Sequence, residues 1–271
     1  MKCIYINLDR ATDRRSRFEE NWAAHRGADW HLERFPAVDA RYVEENRVPG
    51  KLRPPEKGCF LSHCAALAMN LDTSEPLFIL EDDSVFGARS AATIDNFLKA
   101  SDGFEWDIVF TEVGILFPGT MIELFKLRRE LEDKNEVRLL DLADYIFAGA
   151  TGYIVNPRSV TKLATLLGAH QELDLPYDIY LRKLIHEKKL KALMFFPFVT
   201  TLSHQSGPSQ IRDEGAADRL WIAFRQFMMQ DRDLDKVRRD IAQIDQDLGD
   251  EDTRLLGTIL AGFAAKSFAW T

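Results

Sequence analysis

The residues best suited to chemistry are three consecutive acids, Glu81, Asp82 and Asp83, which close the apolar run Pro76-Leu77-Phe78-Ile79-Leu80. An apolar run that stops abruptly in acids reads as a buried strand emerging at the edge of a site. Alternate side chains of a strand share a face, so Glu81 and Asp83 are expected to point together and Asp82 away. Two carboxylates aimed into one cleft repel unless a proton or cation sits between them. A hard divalent ion with oxygen ligands resolves that repulsion. A solvated acidic turn is the alternative for this stretch taken alone.

The elements around it must supply the rest of a site. Cys3-Ile4-Tyr5-Ile6-Asn7-Leu8 is a short β-rich run, followed by a polar turn and a helical pattern with Phe18 and Trp22 four residues apart. Strand, turn, helix is how an α/β fold opens, and in such folds ligands collect at the carboxyl ends of strands. Arg10, Arg14 and Arg15 then stand near a cleft, where guanidinium groups suit phosphate oxygens; a solvated helix face paired with Asp9, Asp13 and Glu19 is the alternative. Glu33-Arg34-Phe35-Pro36-Ala37-Val38-Asp39-Ala40 is a second extended stretch. The segment holding Pro49, Gly50, Pro54, Pro55 and Gly58 reads as a basic loop, too rich in breakers for regular structure.

From Cys59 to Leu71 the spacing turns helical, with Phe60, Cys64, Leu67 and Leu71 on one face and His63 flanking it, near the start of the helix. Further strands are expected at Trp106–Phe110, ending in Thr111-Glu112, at two short runs around Gly149-Ala150-Thr151-Gly152, and at Phe195–Leu202. The stretch from Pro118 to Leu142 reads as a charged, partly helical insertion. Asn156-Pro157 and Pro176 are helix starts, the second carrying Asp178 in its first turn, where an acid also complements the helix dipole. Residues 1–212 thus form one α/β domain. Residues 213–271 form a helical appendage that caps it or makes an oligomer contact, with membrane contact at most peripheral.

A chain of 271 residues, 46% hydrophobic and 29% charged, has the composition of an ordinary globular protein. Its formal net charge of −8 argues against nucleic acid as a partner. Cys3, Cys59 and Cys64 make neither a C-x-x-C pair nor a secreted disulfide framework, which points to the cytoplasm, with the inner face of the plasma membrane as a peripheral option. Two glycines near position 150 are too few and wrongly spaced for a dinucleotide fingerprint, and no Walker A loop is present.

In order and spacing, four blocks resemble glycosyltransferase family 25, the lipooligosaccharide galactosyltransferase family that also includes the collagen galactosyltransferases. They are Ile6-Asn7-Leu8-Asp9-Arg10 with Asp13-Arg14-Arg15, then Phe35-Pro36-Ala37-Val38-Asp39-Ala40, Gly58-Cys59-Phe60-Leu61-Ser62-His63, and Ile79-Leu80-Glu81-Asp82-Asp83. The resemblance covers residues 3 to 87, extends more loosely to about residue 210 and leaves out the C-terminal helices. It implies a GT-A-like fold, here a Rossmann-type mixed sheet flanked by helices, a UDP-sugar donor (typically UDP-galactose), Mn2+ (or Mg2+), a glycan or glycolipid acceptor, and inversion at the anomeric carbon.

Glu81-Asp82-Asp83 is similar to the D-x-D motif of GT-A enzymes, with glutamate at its first position. By strand geometry Asp83 is the first choice as metal ligand and Glu81 the second. The resemblance assigns Asn7, Leu8, Arg10, Arg14, Arg15, Ala37, Asp39, Ser62, His63, Glu81 and Asp82 to the nucleotide-sugar pocket. Inversion needs a carboxylate base, for which Asp178 leads, with Glu112 and Asp174 behind it. His204 is a further candidate metal ligand. The block after it departs from the family pattern, because Gln210 follows Ser209 where the family often has an acid. A metal-dependent phosphatase or nucleotidyltransferase, and a non-catalytic sugar-nucleotide-binding protein, are the competing readings.

Overall fold

The computed structural model describes residues 1–203, 216–247 and 250–264. The chain opens with β1 (Lys2–Asn7), α1 (Thr12–His25), β2 (His31–Pro36), α2 (Ala40–Glu45), α3 (Pro54–Ala68), β3 (Leu77–Glu81) and β4 (Ser84–Phe86). It continues through α4 (Ser90–Ala100), β5 (Ile108–Phe110), β6 (Gly114–Ile115), α5 (Pro118–Lys134), β7 (Arg138–Asp141), β8 (Phe147–Ala148) and β9 (Gly152–Val155). Then follow α6 (Val160–Gly168), α7 (Tyr177–His186), β10 (Ala192–Phe196), β11 (Thr200–Leu202), α8 (Ala216–Met228), α9 (Leu234–Asp247) and α10 (Glu251–Ala264).

Seven strands make one mixed sheet in the order β2-β1-β3-β9-β5-β10-β7. β1 runs parallel to both β2 and β3, whereas β9 is antiparallel to β3 and β5. Alternation along the strands divides the core between two faces. Cys3 and Tyr5 of β1 and Phe78 and Leu80 of β3 pack with Phe18 and Trp22 of α1 and Ile94 and Phe97 of α4. Ile4, Ile6, Leu77 and Ile79 pack on the other side with Phe60 of α3, Leu163 of α6 and Leu181 of α7. The sheet therefore has helices on both faces, compatible with a GT-A-like fold. The chain leaves β1 to one side for β2 and returns to the other side for β3. Such a switch point opens a crevice beyond the strands' carboxyl ends.

Three local expectations change. The breaker-rich segment is not all loop: α3 begins at Pro54, with prolines in its first turn, and the Glu56 carboxylate accepts from the backbone N–H of Arg53 at 2.9 Å. Proline in a first turn gives up only an N–H that lacks a helical partner anyway, so it starts a helix as readily as it breaks one. Gly58 and His63 consequently lie well inside that helix. The Lys57 ammonium donates to the carbonyl of Val48 at 2.7 Å, tying the start of the helix to the preceding segment. Leu139 and Leu140, expected within an insertion, belong to β7, which completes the sheet by pairing with β10.

The α8 stretch is wedged into the fold: Met228 joins the main core. Arg225 lies buried in a two-pronged ion pair with the fully buried Glu112, and Arg128 of α5 donates to the carbonyls of Phe227 and Met229. On α10, Leu255, Leu256, Ile259 and Leu260 are exposed. No helix among the described residues is long and apolar enough to cross a membrane.

Removing one partner of a buried ion pair strands the other's charge. Arg225→Ala is therefore expected to cost about 3–5 kcal/mol, seen as a lower denaturant midpoint, while the double variant Glu112→Leu, Arg225→Met recovers most of it. An Arg225→Ala midpoint equal to the parent's would show that this pair does not anchor α8.

Candidate functional site

The parallel register sets Asn7 beside Pro36, and Ile6 beside Glu81, so three strand ends meet at one edge. Asn7 is their hub, and it is buried. Its amide nitrogen donates to the Asp82 carboxylate at 2.6 Å and to the carbonyl of Ala11 at 3.2 Å. Its side-chain oxygen accepts from Arg15 and Arg34, each at 3.1 Å, and its backbone carbonyl accepts from the N–H of Ala37 at 3.0 Å. Leu8 begins the turn into α1 by accepting from the N–H of Ala11 at 2.9 Å.

β3 ends at Glu81, and Asp82 and Asp83 form the tight turn into β4, so strand alternation stops two residues short of Asp83 and does not by itself set Asp83 beside Glu81. Asp82 faces α1, pairing with Arg14 at 3.2 Å as well as with Asn7. Burial pushes its carboxyl above the usual aspartate range, and Arg14 and Asn7 pull it back only in part. The backbone carbonyl of Asp83 accepts from the N–H of Ser203 at 2.8 Å.

The other cationic groups are paired across the same edge. Arg10 meets Asp39, and Arg34 meets Asp9. The N–H of Arg41 and then Arg10 hold Asp39 below the usual carboxylate range, and Arg34 does the same for Asp9. Exposed pairs of this kind are weak, so neither arginine is tightly committed to its carboxylate partner. Ser62, fully buried on α3, fixes the Ala37–Asp39 segment: its hydroxyl donates to the carbonyl of Gly58 and accepts from the N–H of Val38, at 2.7 and 2.8 Å. A Cβ on Gly58 would collide with the Val38 carbonyl, so only glycine allows this close docking.

A second constellation lies beside the first. The ring of His63, buried on α3, stacks on Tyr177 with centroids 4.1 Å apart and planes 8° apart. Its Nδ1 is 2.9 Å from the Tyr153 hydroxyl and its Nε2 is 3.3 Å from Glu81 Oε1. An ionised carboxylate only accepts, so Nε2 carries the proton, and in the neutral ring Nδ1 accepts from Tyr153. The Tyr153 oxygen is 2.6 Å from that of Tyr177, and burial pushes both phenols well above their ordinary values. Burial likewise pushes up the thiol of Cys59, one turn before His63, and Glu81, Asp178 and Asp83 push it further. Asp178, half-buried in the first turn of α7, accepts from the N–H of Gly149 at 2.5 Å, where Gly149 holds φ +85°.

Glu81 at the end of β3 and Asp83 in the turn after it carry hard oxygen donors of the kind Mn2+ and Mg2+ favour, although among the described residues they do not form, with Asp178 of α7, a cluster with ligand atoms within 4.8 Å of one another. With this arrangement in view, the comparison with protein families is direct. The model described as glycosyltransferase family 25 (LPS biosynthesis protein) matches residues 1–181. The chain belongs to glycosyltransferase family 25. The match spans every residue of both constellations. No curated protein matches the chain.

Not every expected site residue reaches the edge of this glycosyltransferase. Glu112 is fully buried and held by Arg225, whose guanidinium also donates to Thr151 at 3.1 Å; its carboxylate serves packing, not proton transfer. Asp174 accepts from the N–H of Lys51 at 2.8 Å and ties down that loop. His204 lies outside the described residues. Arg34, Cys59, Tyr153 and Tyr177 were not singled out from the sequence. The signal for Cys59 was its four-residue spacing from His63, which puts both on one helix face; Tyr153 and Tyr177 carried none, being brought in by tertiary packing.

Asp82 has a testable pH signature. Its folded-state value is raised, so its contribution to stability is full at low pH and declines as pH rises through the folded value. Asp82→Asn removes that decline. The stability of the variant relative to the parent is expected to climb from about pH 4 toward neutrality in paired denaturation curves. A difference that stays flat or falls over that range would refute the burial cost.

Proposed function

We propose that this family 25 enzyme transfers a hexose, galactose above all, from a UDP-sugar to a lipooligosaccharide or other cell-surface glycan, with inversion and with Mn2+ or Mg2+ bound. The observation that carries this is the meeting of Asn7, Ala37–Asp39 and Glu81–Asp83 at the carboxyl ends of β1, β2 and β3, with Asp178 close by. Pocket and base are thereby supplied from separate elements.

The Asn7 hub and the Ala37–Asp39 segment form the wall for the nucleoside. Arg10, Arg14 and Arg15 stand within reach of its diphosphate, with Asp82 holding Arg14 in place. Glu81 and Asp83 are the residues to hold the cation, which neutralises the charge that develops as UDP leaves. Asp178 acts as the base. One of its oxygens is tied to the N–H of Gly149, which fixes its orientation, and the other takes the proton from the acceptor hydroxyl as it attacks. Asp178 is preferred over Glu112 because it is half-buried at an edge, whereas Glu112 is sealed in an ion pair. The free state of Cys3, Cys59 and Cys64 supports a cytoplasmic setting, with acceptors met at the inner membrane face.

The test is release of UDP from UDP-sugars in the presence of Mn2+ and a panel of glycan acceptors. Asp178→Asn is expected to lower kcat by about 100-fold or more while donor KM stays near the parent's. Asp83→Ala is expected to abolish both turnover and the Mn2+-dependent thermal shift with UDP. Full activity in Asp83→Ala would overturn the metal assignment, orthophosphate in place of UDP would point to a phosphatase, and UDP binding without transfer would point to a non-catalytic binder.

A further inference from the structure

Among the described residues, the tightest cluster of metal-binding donors is not an all-oxygen set, although it includes Glu81. Cys59 Sγ, a ring nitrogen of His63 and a carboxylate oxygen of Glu81 all lie within 4.8 Å of one another. We propose that Cys59, His63 and Glu81 form a site for a borderline-soft transition-metal ion such as Zn2+, sharing His63 and Glu81 with the donor pocket and adding the Cys59 thiol to them. A thiolate, an imidazole and a carboxylate together suit Zn2+, whereas Mn2+ and Mg2+ favour oxygen. Three protein ligands leave a fourth position open, as at zinc sites that accept an exogenous ligand.

The geometry is already close to that of a bound site. With Zn–N and Zn–O bonds of about 2.0–2.2 Å, two donors on a tetrahedral ion stand roughly 3.4 Å apart. His63 Nε2 and Glu81 Oε1 are 3.3 Å apart. Cys59 and His63 project from α3 one turn apart, so the helix fixes their relative position. The imidazole is held from behind as well: Tyr177 stacks on its face and the Tyr153 hydroxyl meets Nδ1, leaving Nε2 aimed at Glu81. When Nε2 ligates an ion, Nδ1 carries the proton and donates it to Tyr153, which in turn donates to Tyr177. That is the outer hydrogen bond a metal-ligating histidine needs. Glu81 is partly exposed and marks the entry side.

The site is tested without nucleotide, so its failure is separate from any failure of the donor reading. Full-length protein freed of metal is titrated with Co2+ and followed by absorption. One equivalent is expected to give a thiolate-to-metal charge-transfer band, displaced by Zn2+, lost in Cys59→Ser and retained in Cys64→Ser and Asp83→Asn. X-ray absorption of the Zn2+ form is expected to show one sulfur and at least one imidazole in the inner shell, which reads the ligands without any substitution. An all-oxygen shell, no charge-transfer band, a band that survives Cys59→Ser, or one lost in Asp83→Asn would each overturn the proposal.

Discussion

The organisation of this protein depends on one buried hydrogen bond, from the amide of Asn7 to the carboxylate of Asp82. It links the carboxyl ends of two adjacent parallel strands at the point where the sheet's connections diverge, and every other site contact is built outward from it. Neither group could be buried alone at low cost. Asn7 spends both faces of its amide, and its backbone as well, on the ends of α1, β2 and β3. Asp82 remains costly even so, its carboxyl raised by burial.

A second constraint works through small residues and aromatic rings. Gly58 and Ser62 let the Ala37–Asp39 segment lie directly on α3, while the next turn of that helix presents His63 to Glu81. One helix therefore positions both the Ala37–Asp39 segment and the His63–Glu81 contact beside it. On the far side, Arg225 lies under Gly149 and grips Glu112 and Thr151, and Thr151 accepts from the N–H of Glu81 at 2.7 Å. The C-terminal part of the chain thus supports the acids from behind, although the family match stops at residue 181.

The arginines at this edge are paired in two different ways. Arg10 and Arg34 rest on exposed carboxylates, Asp39 and Asp9, which keep them ordered. Exposed pairs contribute roughly 0–1 kcal/mol, so these carboxylates hold the arginines only weakly. Arg14 differs, because its partner Asp82 is buried and does not leave.

Much of this was legible in the chain itself. The apolar run ending in Glu81 and the β-rich opening at Cys3–Leu8 specified adjacent strands, because period-two alternation and abrupt polarity changes are local properties. The spacing of the blocks from Asn7 to Asp83 was enough to name the family. Proline misled at Pro54, where its effect depends on which side of a helix boundary it falls. What the sequence left open was which acids share a site. Glu112 and Asp178 both follow plausible signals, yet one is sealed against Arg225, more than a hundred residues away, and the other faces the edge. Cys59 read as unremarkable until Glu81 was folded against it. Local patterns fix elements, but pKa values, ion pairs and metal-ligand sets arise between groups far apart in sequence, and only tertiary packing decides which of them meet.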